Sequence, residues 1–261
     1  MYKIIFIILC THLFWVCPAH ADALREVTIC TDSDPTPPEK IKLDAQGKKI
    51  IPVEGAAIDI IRAVFAHMGQ KVEFIGDLPW KRCLHEVEMG DIDFALGVYY
   101  NEERAKIYDY STHYNTLTPQ LFYLASKPLQ VTESKDLSNY KGCGIYGSSY
   151  VHFKIKSEDL SMGSDYSSLY RKLLANRCDY FAEELESVYE SNGGKEFLAN
   201  PLIRHIAPDW AQRPSRHLVT AKNGQNSAML AQINSALEFV IKSGQAEQIW
   251  KKTMGDIPYV P

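Results

Sequence analysis

Apolar and polar positions alternate along this chain in blocks that predict strands and helices in turn. Val27–Thr31 is a short β-branched run and predicts a strand that ends at Asp32 and a proline-rich loop, Pro35 to Pro38. Gln46-Gly47-Lys48 predicts a hairpin turn. From Ala56 to Met68, Ile58, Ile61, Val64, Phe65 and Met68 recur at helical spacing, and Gly69 stops the run. Val72–Ile75 alternates as a strand, Trp80–Met89 places Leu84 and Val87 on one helix face, and Asp93–Val98 is a short apolar strand. Asn101 predicts a helix N-cap, with Glu102 and Glu103 in the first turn, where negative charge suits the macrodipole.

The alternation resumes after Tyr114. Gln120–Ala125 is extended, Lys127–Asn139 is polar and turn-rich, and Gly142–Tyr146 predicts a strand followed by Gly147-Ser148-Ser149 and a weak helix. Ser167–Leu174 predicts a helix, Cys178–Ala182 a strand, Leu185–Asn192 a helix and Ile203–Ala207 a strand. His217–Ala221 is a last strand before two helices, Ser227–Lys242 and Gln245–Met254, parted at Gly244. Strand and helix alternating in this way is the grammar of an α/β fold with largely parallel sheets.

Composition narrows the setting. Lys3, the apolar stretch Ile4–Val16 and the small-x-small triplet Ala19-His20-Ala21 predict a secretory signal peptide cleaved after Ala21. Cys17 does not predict a lipid anchor, because bulky Trp15 and Val16 precede it. The remaining 240 residues carry 27 basic and 32 acidic side chains, a charge of −5 with no basic run, which argues against a nucleic-acid partner. Four cysteines remain: Cys30, Cys83, Cys143 and Cys178. An even number in an exported chain favours disulfides, and four allow three pairings. Neither Cys-x-x-Cys nor paired-histidine spacing is present, so no metal or cofactor is expected.

Candidate chemistry gathers where strands end, because ligands of α/β lobes bind at carboxyl ends of strands. Arg104 follows the Asp93–Val98 strand and can hold a carboxylate through two parallel hydrogen bonds. Its alternative is a surface pair with Glu102 or Asp109. Ser148 and Ser149 open a helix, where free N–H groups attract anions, or they are plain N-caps. Glu183 and Glu184 follow the Cys178 strand as ammonium partners or as an acidic helix start. Asp32, Tyr99 and Asn101 also stand at strand ends. Tyr146 and Tyr150 are further aromatic candidates, although many of fifteen tyrosines must be packing.

Between Pro79 and Tyr114 the pieces Pro79-Trp80, Gly90-Asp91-Ile92-Asp93, Glu103-Arg104 and Tyr110-Ser111-Thr112-His113-Tyr114 stand in an order that resembles the bacterial extracellular solute-binding proteins of family 3, which include the periplasmic polar amino-acid receptors. Lys222, Leu230, Asn234, Leu237, Gly244, Ile249, Trp250 and Gly255 extend the resemblance, while Pro35–Val53 and Gly193–Arg216 fit poorly. The resemblance implies a two-lobe periplasmic binding protein fold (type II) with a two-strand hinge. It implies a first lobe of 22–121 plus 217–261 and an inserted second lobe of 122–216.

By the same resemblance Arg104 and Ser149 share a ligand carboxylate from opposite lobes, Glu184 or Glu183 meets an ammonium, and Trp80 and Tyr114 wall the site. It implies a monomer that captures a small carboxylate-bearing solute and delivers it to an inner-membrane ABC permease. Cys30 with Cys83, and Cys143 with Cys178, would then each close inside one lobe and leave the hinge free. Two departures bear on the ligand. Thr36-Pro37-Pro38-Glu39 replaces an aromatic-flanked Pro-Pro, and Tyr99 and Asn101 replace Ser and Thr, so a more polar or cationic solute fits the pattern too. A dehydratase on the same scaffold, with Glu183 or Glu184 as general acid, and a receptor for a signalling partner are the competing expectations.

Overall fold

A computed structural model of the protein describes residues 25–31, 42–43, 49–50 and 53–261. The expected signal peptide, Asp32, the expected loop at Pro35–Pro38 and the expected turn at Gln46-Gly47-Lys48 lie outside the described residues. Two α/β lobes are each built on a sheet with a parallel core, and β2 (Lys42–Leu43) and β3 (Lys49–Ile50) form a separate antiparallel pair.

The first sheet has the order β4 (Val72–Ile75), β1 (Val27–Cys30), β5 (Phe94–Tyr99), β13 (Ser215–Ala221), β6 (Tyr108–Tyr110), with β7 (Asn115–Thr116) also on β13. β1 runs parallel to β4 and β5, whereas β13 is antiparallel to its neighbours. Helix α1 (Ala56–His67) buries Ile58, Ile61, Val64 and Phe65 against one face, with α6 (Leu230–Lys242) and α7 (Gln245–Met254). Burying each such side chain stabilises by roughly 1.5–3 kcal/mol. Helix α2 (Trp80–Met89) covers the other face through Trp80, Leu84 and Val87, and Gly90 ends it in the left-handed region.

The second sheet has the order β10 (Leu160–Gly163), β9 (Gly142–Ile145), β11 (Tyr180–Glu184), β8 (Pro119–Leu124), β12 (Ile203–Ile206). β9 is parallel to β10 and β11, and β8 is antiparallel to β11 and β12. Helices α3 (Tyr166–Leu174), α4 (Leu185–Glu190) and α5 (Gly194–Ala199) pack one side. The chain crosses between sheets from β7 to β8 and again from β12 to β13. Glu186, at the start of α4, accepts both the Thr118 N–H and the Thr118 hydroxyl at 2.8 Å, which pins the first crossing.

Disulfides join Cys30 to Cys83 and Cys143 to Cys178, with Cα–Cα separations of 5.8 and 5.9 Å. The first ties β1 to α2, the second joins β9 to the residue two before β11, and neither spans the two sheets.

Several elements differ from the sequence reading. Asn101 caps no α-helix. Its Oδ1 accepts the Arg104 N–H at 2.8 Å, and only a 3-10 turn, Arg104–Lys106, follows. The weak helix after Ser149 is likewise a single 3-10 turn, Val151–Phe153. β11 runs two residues further than Ala182, so Glu183 and Glu184 are its buried last residues. β10 and α5 were not legible, because Leu160–Gly163 lacks a β-branched run and α5 begins on a glycine.

Candidate functional site

A cavity of about 240 Å³ lies between the lobes, lined from the first by Trp80, Tyr99, Arg104 and Arg216 and from the second by Ser148, Ser149, Glu183, Glu184 and Glu190. It is below the roughly 300–1,000 Å³ of sites for drug-sized ligands, which suits a small metabolite.

Arg104 projects from the polar turn after β5. Its Nη2 donates to the Gly147 carbonyl at 2.7 Å and its Nη1 to the Tyr99 carbonyl at 3.4 Å. Among the described residues it forms no ion pair, since Asp109 pairs with Lys222 and Glu103 with Lys106. Burial lowers the affinity of the Arg104 guanidinium for its proton, and the phenols of Tyr110, Tyr108 and Tyr99 act the other way. A guanidinium held in such a place with no carboxylate beside it has attraction to spare for an anion.

Asn101 Nδ2 donates to Ser149 Oγ at 3.3 Å, and Ser148 N–H is taken by the Ile145 carbonyl at 3.2 Å. With no α-helix beginning there, the two serines offer hydroxyls to the cavity rather than a row of helix-start amides. Gly147 has φ of 87°, and a Cβ there would stand 3.2 Å from Trp80 Cδ1. Its bare backbone is what lets the second lobe approach α2 so closely.

The carboxylates take opposite faces of β11, as neighbours in a strand must. Glu183 accepts from Tyr150 Oη at 2.9 Å and Tyr166 Oη at 3.3 Å. Glu184 accepts from His152 Nε2 at 2.6 Å and from the Tyr99 hydroxyl of the first lobe. Burial, then the charges of Glu184 and Glu183, push the Tyr99 phenol far above its ordinary value; burial and Glu183 do the same to Tyr150. Both phenols therefore stay protonated donors.

Of the residues singled out in the sequence, Trp80, Tyr99, Arg104, Ser148, Ser149, Tyr150, Glu183 and Glu184 line the cavity, and Asn101 stands behind Ser149. Tyr114 is fully buried in the first lobe's core, where the Arg216 guanidinium lies 5.7 Å from its ring centroid. Tyr146 points outward, 61% exposed. Asp32 is outside the described residues. The sequence reading missed Arg216, Glu190 and His152. Glu190 Oε1 accepts the Ala56 N–H of α1 at 2.9 Å and its Oε2 lies 3.4 Å from Arg216 Nη1, so it too joins the lobes. Burial works against the charge on Arg216, but Tyr114, Glu190, Tyr99 and Glu186 together raise its pKa. An arginine in a run of Ser-Arg-His before β-branched residues carries no signal of its own.

Among the described residues no cluster of three or more His, Cys, Asp or Glu side chains could hold a metal, and no helix is long and apolar enough to cross a membrane.

No curated protein sequence matches the chain. Among solved structures, a histidine kinase sensor domain with similarity to periplasmic binding proteins superposes with a TM-score of 0.72 at 21% identity, covering 92% of this chain and all of that one. A structure from work on glutathione import by GshT and the cystine ABC importer TcyBC of Streptococcus mutans gives 0.71 at 18%, covering 91% and 98%. The arginine-, lysine-, histidine-binding protein ArtJ of Geobacillus stearothermophilus gives 0.67 at 19%, covering 90% and 97%. These likenesses concern the fold. The sequence profile of the bacterial extracellular solute-binding proteins, family 3, matches residues 27–256. With nearly the whole described chain inside that match and a two-lobed cavity to go with it, this protein belongs to the bacterial extracellular solute-binding proteins of family 3.

Proposed function

We propose that this protein is a periplasmic receptor that closes two lobes over a small polar solute bearing a carboxylate, an amino acid or a relative of one, and passes it to an inner-membrane ABC permease. The observation that carries this reading is Arg104. Its guanidinium faces the interlobe cavity, reaches the Gly147 carbonyl of the other lobe at 2.7 Å, and has no acidic partner among the described residues. A carboxylate entering the cavity takes up that guanidinium and the Ser149 hydroxyl at once, so it binds the closed form better than the open one. Such differential affinity is what shifts an open–closed equilibrium. Glu184 or Glu183 then meets the ammonium.

In this reading the expected bounds of 22–121 with 217–261 and 122–216 move to the strand starts, so that the first lobe runs to Thr118 and resumes at Ser215, the inserted lobe is 119–214, and the crossings near Thr118 and Pro214 act as the hinge. The signal peptide leaves after Ala21 and the product is a free monomer. Structural neighbours that bind arginine, lysine and histidine, or belong to an amino-acid ABC transporter, support an amino-acid-like solute. The likeness to a histidine kinase sensor domain supports a second reading, in which the closed form is handed to a signalling partner. Co-purification from membranes separates the two: a permease supports the first reading, a sensor protein the second.

The test is Arg104→Ala. Losing two charge-assisted hydrogen bonds costs about 3 kcal/mol or more, so affinity for the solute found in a thermal-shift screen falls at least a hundredfold. The melting temperature of the empty protein stays nearly unchanged. Equal affinity in variant and parent overturns the role of Arg104.

A further inference from the structure

Three of the five buried side-chain polar atoms without a hydrogen-bond partner among the described residues belong to neighbouring side chains: Arg216 Nη2, Asn115 Nδ2 and the Tyr114 hydroxyl. Arg216 Nε donates to Asn115 Oδ1 at 3.0 Å, and the guanidinium carbon lies 5.7 Å from the Tyr114 ring centroid. The Tyr114 oxygen stands directly behind Gly97, where an added Cβ would be 4.0 Å from it. Buried donors in folded proteins are nearly always paired, and a charged donor left unpaired is the costliest kind. Of these three residues Arg216, only 8% exposed, is the one on the cavity wall. Arg216 thus lines the cavity while its buried Nη2 lacks an acceptor among the described residues.

Charge beside Arg216 is already balanced. Glu190 Oε2 lies 3.4 Å from Arg216 Nη1, while Glu190 Oε1 is held by the Ala56 N–H at 2.9 Å. A second carboxylate brought to Arg216 would face Glu190 at close range in a dry site, and like charges so placed repel. An uncharged oxygen satisfies Nη2 without that penalty. A purely aliphatic end would leave Nη2 buried and unpaired, which sites built for a hydrogen bond reject strongly.

We propose that Arg216 sets the specificity of this cleft, donating from Nη2 to an uncharged oxygen acceptor, an amide carbonyl or a hydroxyl, on the end of the solute away from its carboxylate. This rests on the reading of Arg104 as the carboxylate-binding group. Glu190 is the residue that makes the preference uncharged rather than anionic.

The experiment is a thermal-shift and calorimetric comparison of the parent, Arg216→Gln, Glu190→Gln and Arg104→Ala. The probes are the twenty common L-amino acids with L-citrulline and L-homoserine. The expected best ligand of the parent carries an amide, ureido or hydroxyl oxygen in its side chain. Arg216→Gln weakens it at least tenfold, and Glu190→Gln shifts preference at least tenfold toward the acidic counterpart. A parent that prefers aliphatic or acidic side chains overturns the proposal, as does unchanged affinity in Arg216→Gln. Should Arg216→Gln fail to fold, the parent's preference and the Glu190→Gln shift decide. Binding lost in Arg104→Ala but kept in Arg216→Gln overturns this inference alone, whereas no binding by any probe removes both readings.

Discussion

Tyr99, the last residue of β5, donates its hydroxyl hydrogen across the cleft to Glu184, the last residue of β11. Each lobe thus ends a central strand on one partner of a single hydrogen bond. Burial and the two glutamates keep the phenol protonated well beyond neutral pH, so Tyr99 remains the donor at neutral pH. Tyr99→Phe withdraws a donor from a buried carboxylate, which costs the closed form about 1–3 kcal/mol. Small-angle scattering should find the solute-free variant more open than the parent. Identical radii of gyration would mean that the bond does not govern closure.

Gly147 tests close approach rather than charge. It combines a φ of 87° with a Cβ position 3.2 Å from Trp80 Cδ1 and 3.4 Å from Lys81 Cα. Gly147→Ala strains the second lobe's loop and holds the lobes apart. Solute affinity should fall roughly tenfold or more, an effect on the order of 1–3 kcal/mol of strain. A calorimetric titration that finds parent-like affinity would show that the loop can yield.

Asp93 anchors the first lobe. It accepts from Thr28 N at 2.9 Å, Thr28 Oγ1 at 3.1 Å and Asn226 Nδ2 at 2.9 Å, and it pairs with Arg25. Burial opposes its charge, but these donors together hold its pKa below the usual carboxylate value. A depressed folded-state pKa contributes stability above the unfolded value, near 4, and that contribution is lost as pH falls through the folded value. Asp93→Asn should lower stability at pH 7 by about 1–3 kcal/mol and flatten the parent's decline below pH 4. Urea melts at pH 7 and pH 3 that show the same difference would contradict this.

The disulfides span sequence separations of 53 and 35 residues. Loop closure of that length stabilises by about 4 kcal/mol each in the chain-entropy account. Replacing Cys30 and Cys83 by alanine should lower the denaturant midpoint markedly and leave solute affinity close to the parent's, because both cysteines pack between β1 and α2 behind the cavity wall. A large affinity loss with an unchanged midpoint would reverse that assignment.

How far the site could be read from the chain differs residue by residue. Arg104 and Trp80 stood out because each sits in an ordered series of short motifs, and Glu183 and Glu184 because they end an apolar run. Arg216 and Glu190 did not, because neither carries a local signal. Both owe their place to a chain that leaves the first lobe near Thr118 and returns at Ser215. The helices expected after Asn101 and Ser149 failed for a related reason. Their backbone donors are spent on tight turns that aim side chains at the cleft, and local capping preference yields to that tertiary demand.

Periodicity alone determined that strands and helices alternate and which helix faces turn inward, because these follow from burial of apolar stripes. Only the tertiary structure decided which charges share one cavity. Tyr99 and Glu184 are 85 residues apart, and Arg216 and Glu190 belong to different lobes. No local pattern encodes such a meeting. It arises when two lobes close around one cavity and remove from water the few polar groups that line it.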